Sequence, residues 1–282
     1  QVGGPLTFTL SNWDTPQAFT ITGVDDSIAD GDQQATFTVR VDDDESHDAY
    51  DDVANQSVTA TNTDDDTAGF SVSKTTFSDD ASVTEGGSTD MFTVVLNTEP
   101  TGDVVISVLS SDIGEATLSP SMLTFTAANW STPQTVTITG VDDDIDDGDQ
   151  SSTATVVVNA GSTADSVYDA LGTAAPIGVT TTDDDTVGFT LSTTSVSVAE
   201  TGTTAQFTVV LDTEPASDVV IWSASSDSGE AQVGAQLTFT SSNWATPQTF
   251  TITGVDDSIA DGEQQAVFTV EVFDASSYDA YD

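Results

Sequence analysis

Hydrophobic and polar residues alternate along most of this chain with a period of two, the pattern of strands that bury one face. Phe92, Val94 and Leu96 share one side of a strand, and Phe207, Val209 and Leu211 repeat the arrangement. A second pattern puts Phe37, Val39 and Val41 inward and Thr36, Thr38 and Arg40 outward. It returns as Phe268, Val270 and Val272 against Val267, Thr269 and Glu271. Thr, Val and Ser dominate these runs, and turn clusters such as Thr98-Glu99-Pro100-Thr101-Gly102 interrupt them at short intervals. About seven strands per repeat, each with one apolar face, predict two packed antiparallel sheets. The predicted fold class is all-β, a tandem of immunoglobulin-like antiparallel β-sandwich domains.

The strands belong to a longer repeat. Leu6-Thr7-Phe8-Thr9 returns at Leu123–Thr126 and at Leu237–Thr240, and Asn-Trp followed by Thr-Pro-Gln occurs at Asn12–Gln17, Asn129–Gln134 and Asn243–Gln248. The period of about 115 residues is the size of one sandwich. Boundaries at Gly69-Phe70 and Gly188-Phe189 give the C-terminal part of a domain (1–68), a complete domain (69–187) and a domain lacking its final strand (188–282). Residues 1–51 match 232–282 without a gap at 39 of 51 positions, while the central domain is less similar to either. Residue 1 falls inside a repeat, so the expected parent is a longer chain that alternates two domain types. Its partners would be further copies of the same repeat. One domain pair would set an axial repeat on the order of 80–100 Å.

The recurring Trp13, Trp130 and Trp244 are expected to cap the core where the Asn-Trp turn enters a strand, rather than to stack on sugar. Trp222 has no counterpart and is expected in a strand. Tyr50, Tyr168 and either Tyr278 or Tyr281 occupy one repeated loop, where a packed ring would pin the loop through its hydroxyl.

Charge changes the picture more than composition does. The 282 residues include 48 acidic and two basic ones, a formal charge of −46. Nucleic acid and anionic membrane are excluded as partners, since both are polyanions. With 37% hydrophobic residues the chain is still expected to fold, although such a charge repels itself unless cations neutralise it. There is no cysteine and a single histidine, His47, which removes disulfides and zinc, copper or iron–sulfur sites. No apolar run of about 18 residues is present, so membrane insertion is not expected.

The acids crowd into loops, whereas the strand faces carry Thr and Ser. Six of the eight residues from Asp142 to Asp149 are aspartate. Salt adaptation would scatter carboxylates over the strand faces, but calcium, which takes six to eight oxygen ligands, explains their crowding. An EF-hand does not fit: the glycine of Asp142-Asp143-Asp144-Ile145-Asp146-Asp147-Gly148 comes one place late and no closing glutamate follows.

Several pieces together carry a resemblance. They are Val83-Thr84-Glu85-Gly86-Gly87, Phe92-Thr93-Val94, Asp103-Val104-Val105-Ile106 and Ser111-Asp112. Leu123-Thr124-Phe125, Val141-Asp142-Asp143 with Asp147-Gly148-Asp149, and Asp183-Asp184-Asp185 follow in order. In this order and spacing the chain resembles the Calx-beta family, the sandwich module of sodium–calcium exchangers and many large extracellular proteins. The resemblance implies a calcium cluster at one end of each sandwich. Carried over by position, the central ligands would be Glu85, Asp112, Asp142, Asp143, Asp147, Asp183, Asp184 and Asp185. The third domain would offer Glu200, Asp227, Asp256, Asp257 and Asp261, and the first segment Asp25, Asp26, Asp30, Asp64, Asp65 and Asp66. Two features depart from the family: aspartate stands where its fifth position usually has glutamate, and Asn-Trp-x-Thr-Pro-Gln replaces a more variable stretch.

Eight carboxylates would be neutralised by roughly two to four Ca2+ per complete domain. The expected function is a calcium-rigidified repeat segment of an extracellular fibre, filament or adhesin stalk. The setting is expected to be extracellular or the cell surface, and prokaryotic. The alternative is a calcium-dependent module of a cell-surface adhesin that binds a partner or glycan. An enzyme is not expected, because the acid clusters recur in every copy and metal-bound carboxylates are withdrawn from acid–base work.

Overall fold

The computed structural model describes residues 4–74, 80–259, 262–273 and 281. In the first segment β1 (Gln33–Val39) and β2 (Gln56–Asn62) form an antiparallel ladder from Gln33–Asn62 to Val39–Gln56. The central stretch then builds two sheets. One runs β3 (Phe70–Val72), β5 (Thr89–Leu96), β9 (Gln134–Gly140), β7 (Ala116–Ser119). The other runs β4 (Ala81–Thr84), β11 (Ala174–Thr182), β10 (Gln150–Val158), β6 (Val104–Ser110), β8 (Met122–Phe125).

The period-two faces become the core. Phe92, Val94 and Leu96 are buried together with Ile106, Phe125 and Ile138, facing one another from the two sheets. Two features depart from the expected seven strands in antiparallel sheets. The central sandwich has nine strands among its described residues, because two of its runs divide between the sheets. β3 joins β5 while β4 joins β11, and β7 joins β9 while β8, just past Pro120, joins β6. The β4–β11 pairing is parallel, so that sheet is mixed.

The third sandwich repeats the plan in reduced form. β12 (Phe189–Leu191), β13 (Thr204–Leu211), β17 (Gln248–Gly254) and β15 (Ala231–Val233) make one sheet. β16 (Leu237–Phe239), β14 (Val219–Ser225) and β18 (Phe268–Val272) make the other. Residues 192–203 contain no strand, although they include the counterpart of β4. In the central sandwich β11 is the one strand that pairs with β4 among the described residues. A strand without a ladder neighbour has no backbone partners to hold it.

The first segment buries less of its apolar face. Phe8 is 55% exposed, yet Phe239, its counterpart 231 residues on, is fully buried. Phe37 and Val41 are half-buried and Val39 is exposed, so the inward face expected for this strand is only partly covered. Trp130 and Trp244 pack against their cores as caps, whereas Trp13 is exposed. Trp222 lies in β14, as its surroundings suggested, with an edge contact to Phe273.

The repeated tyrosine pins its loop. Tyr168 sits in α1 (Ser166–Asp169), whose N-cap Asp165 accepts from the Val167 and Tyr168 N–H groups. The buried Tyr168 hydroxyl donates to the Thr98 carbonyl at 2.9 Å and accepts from the Thr98 N–H at 3.2 Å. Tyr281 makes the same donation to Thr213, also at 2.9 Å, whereas Tyr50 is exposed; Tyr278 lies outside the described residues. Tyr168→Phe would leave the Thr98 groups unpaired in the core. We expect a loss of about 1–3 kcal/mol in the unfolding free energy, read from the denaturant midpoint at constant slope.

Candidate metal centre

The end of the central sandwich that faces the third sandwich gathers carboxylates from four places in the chain. Glu85 follows β4 in a turn closed by Gly87, whose φ of +81° favours glycine. Three contacts fix it there. The Glu85 N–H extends the parallel ladder to the Thr182 carbonyl at 3.1 Å, and the Thr84 N–H donates to Ser88 Oγ at 2.7 Å. Gly140 brings the end of β9 so close that a methyl group there would collide with the Thr84 carbonyl.

Glu85 is 1% exposed, and its Oε2 has no hydrogen-bond partner. One carboxylate oxygen each from Glu85, Asp183 and Asp185 lies within 4.8 Å of the others. Backbone donors set the two aspartates. Gly148 N–H donates to Asp183 Oδ2 at 2.6 Å and Asp185 N–H to Asp183 Oδ1 at 2.8 Å. Asp185 Oδ2 is buried without a partner as well. Asp184 lies over Gly86. In the long acidic loop, Ile145 N–H donates to Asp143 Oδ1 at 2.8 Å.

The electrostatics are those of anions without a counter-charge. Burial first, and then Asp143, Asp183, Glu115 and Asp147, push the Glu85 carboxyl up to about 7. Asp185 is raised by burial and by Asp183, Asp144, Asp184 and Asp143. Among the described residues the one ion pair is Lys74 with Asp90, at 2.7 Å, and no basic side chain enters the cluster. A buried anionic oxygen needs a donor or a cation. The donors present are all carboxylate oxygens, which fits a hard divalent cation such as calcium.

Not every carried-over ligand is equally placed. Glu85, Asp183 and Asp185 come together, and Asp143 and Asp147 act on Glu85 electrostatically. Asp142 and Asp112 are exposed on neighbouring loops, with Gly114 N–H donating to Asp112 Oδ1 at 2.9 Å. In the first segment Asp25, Asp26, Asp30, Asp64, Asp65 and Asp66 line a cavity of about 270 Å3. Its loops repeat the central hydrogen bonds: Gly31 N–H to Asp64 Oδ2 at 2.6 Å, and Asp66 N–H to Asp64 Oδ1 at 2.9 Å. In the third sandwich Glu200 is half-buried in its turn, Asp256 is exposed and Asp257 accepts from Ile259 N–H. Asp227 Oδ1 accepts from Gly229 N–H at 3.0 Å. Asp261 lies outside the described residues.

Two acidic residues escaped the sequence reading. Glu115 has a buried, unpartnered Oε2, and Asp146 Oδ2 accepts from Val187 N–H at 2.8 Å, in the segment that leads to the third sandwich. The acidic loop also meets the next sandwich directly. Glu214 N–H donates to the Asp144 carbonyl at 2.6 Å, and at the preceding junction Glu99 N–H donates to the Ser27 carbonyl at 2.7 Å.

These shifts fix a pH dependence for the metal-free chain. The raised Glu85, Asp185 and Glu115 carboxyls hold protons in the folded state that the unfolded chain has already released. Their stabilising effect is complete below the ordinary value of 4.5 for Glu85 and is lost as pH rises through about 7. Asp165 works in the opposite sense: burial would raise it, but hydrogen bonds from Tyr168 and Thr101 hold it below 3.8. Chelator-treated protein is therefore expected to be less stable at pH 8 than at pH 5, by thermal melting. With calcium bound the loss should disappear, because metal takes the place of the protons.

No family model matches the chain, and none of the curated proteins compared with it does. Among solved structures, CBD12 from CALX1.2 is 14% identical over 68% of this chain and 76% of its own, with a TM-score of 0.30. The E. coli chaperone DraB is 8% identical over 72% of this chain and 98% of its own, with a TM-score of 0.31. Domains 1–6 of the surface layer protein SbsC are 16% identical over 87% of this chain and 27% of that one, with a TM-score of 0.32. Likeness at this level assigns no family and lends no function.

Proposed function

We propose that this chain is a calcium-rigidified segment of a repetitive extracellular fibre or adhesin stalk, built from Calx-beta-like sandwiches. The observation that carries the reading is Glu85, a carboxylate 1% exposed, with an unpartnered oxygen, turned toward Asp183 and Asp185. Bound calcium would supply the positive charge that these groups lack. Glu85, Asp183 and Asp185 would hold it, with Asp143 and Asp147 alongside.

The rest follows from where the cluster sits. Asp185 is two residues from Val187, whose N–H is held by Asp146, and Asp144 accepts from the next sandwich at Glu214. Neutralising the acidic loops would remove the repulsion that opposes docking of one sandwich on the next. No catalytic role is assigned, and none of the described helices is long and apolar enough to cross a membrane. Isothermal titration of metal-stripped protein tests the reading. Calcium is expected to bind with proton release near pH 6, and Glu85→Gln to remove that release from the central sandwich. Uptake of no calcium at millimolar concentration would refute it.

A further inference from the structure

We propose that the outer sheet face around Trp222 and Glu271 in the third sandwich binds Arg40 of a second copy of this chain. The proposal goes beyond the reading above, because it concerns contact between chains rather than the metal that stiffens one.

Two residues that touch have been replaced together. In the central sandwich Ser107 and Asn159 stand side by side on the outer face, joined by Asn159 Nδ2 to Ser107 Oγ at 3.0 Å. One backbone bond locates their counterparts: Asn159 N–H donates to the Val105 carbonyl, and Phe273 N–H to the Val220 carbonyl, both at 2.8 Å. Trp222 and Phe273 therefore hold these positions in the third sandwich, edge to face with ring centroids 6.4 Å apart. Both rings are exposed. Trp222 stands opposite Glu271 in the β14–β18 ladder, where the central sandwich pairs Ser107 with Val157. A hydrogen-bonded polar pair has become an aromatic pair with a carboxylate beside it. An indole face and a carboxylate both attract a cation, and a planar guanidinium engages the two at once.

The chain holds two basic side chains. Lys74 is committed to Asp90 at 2.7 Å. Arg40 is exposed and forms no ion pair among the described residues. It lies just past β1 on the outer face with Thr36 and Thr38, which stand opposite Thr59 and Ser57 of β2. No acidic residue occurs in β1 or β2, and Glu271 is the one acid in the sheet of β16, β14 and β18. In a chain of charge −46, these two sheet faces can approach each other with little repulsion.

The sequence sets the two faces against each other. Phe37-Thr38-Val39-Arg40-Val41-Asp42 and Phe268-Thr269-Val270-Glu271-Val272-Phe273 are one strand in two copies, and they differ only at Arg40/Glu271 and Asp42/Phe273. Opposite charges at one outward position make like copies repel and unlike copies attract. The donor and acceptor faces lie in different parts of the chain, so the contact is heterologous and can pass from chain to chain. One such contact is small and weak alone, and repetition along an array would multiply it.

The test is a dilution series of the whole chain in about 0.15 M salt, where charges more than about 8 Å apart are screened and the outcome does not hang on calcium. The one arginine gives a single Nε–H resonance in a 15N-correlated NMR spectrum. That resonance is expected to move upfield, under the Trp222 ring current, as concentration rises toward about 1 mM, while the scattering mass rises with it. A resonance and mass that stay constant overturn the proposal. A shifted resonance that ignores dilution would place Arg40 on its own chain and overturns it as well. Glu271→Arg should weaken association at least about tenfold, and adding Arg40→Glu to it should restore the affinity. Failure of the double exchange to restore it counts against the pairing. Trp222→Ser with Phe273→Asn reinstates the hydrogen-bonded pair of the central sandwich, and it should abolish both the shift and the association; unchanged association in that variant overturns the aromatic part.

Discussion

Millimolar calcium is expected to raise the melting temperature of the metal-stripped chain by on the order of 10 °C or more for each site it fills. Sodium at equal ionic strength should do far less. A ligand that binds only the folded state stabilises it by about 2.7 kcal/mol at a hundred times its Kd, and a domain of this size shifts by about 4 °C per kcal/mol. Sodium screens the repulsion between exposed carboxylates that lie farther apart than the Debye length, about 30 Å at 0.01 M ionic strength, which relieves part of the −46 charge. It does not reach Glu85, which is enclosed between the turn after β4 and the end of β11. Equal stabilisation by both salts in a thermal scan would mean that the acids act as a salt-adapted surface.

The second large effect concerns the junction. Replacing Asp183, Asp184 and Asp185 together with Asn should leave the central sandwich folded, because its core of Phe92, Ile106, Phe125 and Ile138 lies elsewhere. Asn at position 183 has one oxygen for the Gly148 and Asp185 N–H groups that the two carboxylate oxygens accept, so the loop keeps one of these two hydrogen bonds while losing charge. Calcium-dependent protection of the Val187 amide, which Asp146 accepts, should vanish. In wild type, hydrogen exchange at Val187 is expected to slow about 100-fold on adding calcium; in the triple variant the rates with calcium and with chelator should coincide. Protection that survives in the variant would place the clamp outside the triplet.

Much of this was legible in the alternation of residues, and particular elements show why the rest was not. Phe92-x-Val94-x-Leu96 has one apolar face whichever neighbours it finds, so its burial could be read directly. The division of β3 from β4 and of β7 from β8 could not, because a change of sheet depends on which distant strand pairs with each half. Phe8 and Phe239 stand in nearly identical local sequences and differ fully in burial, since cover comes from strands elsewhere in the chain.

The acidic triplets and the Asp142–Asp149 loop were visible as runs. Glu115 was not, because it stands alone between Gly114 and Ala116, outside any acidic run. The signal was its recurrence as Glu230 behind the same Asp-x-Gly. Glu85 was marked by its Thr-Glu-Gly-Gly turn, but its depth comes from the close approach of Gly140 to Thr84.

The central claim is that calcium turns a hinged string of sandwiches into a rod, and small-angle X-ray scattering on one sample, first in chelator and then in calcium, tests it most directly. The prediction is a broad distribution of distances in chelator that sharpens in calcium to a single elongated particle, reversibly and with a midpoint matching calcium uptake. A distance distribution that does not change while calcium binds would contradict the account.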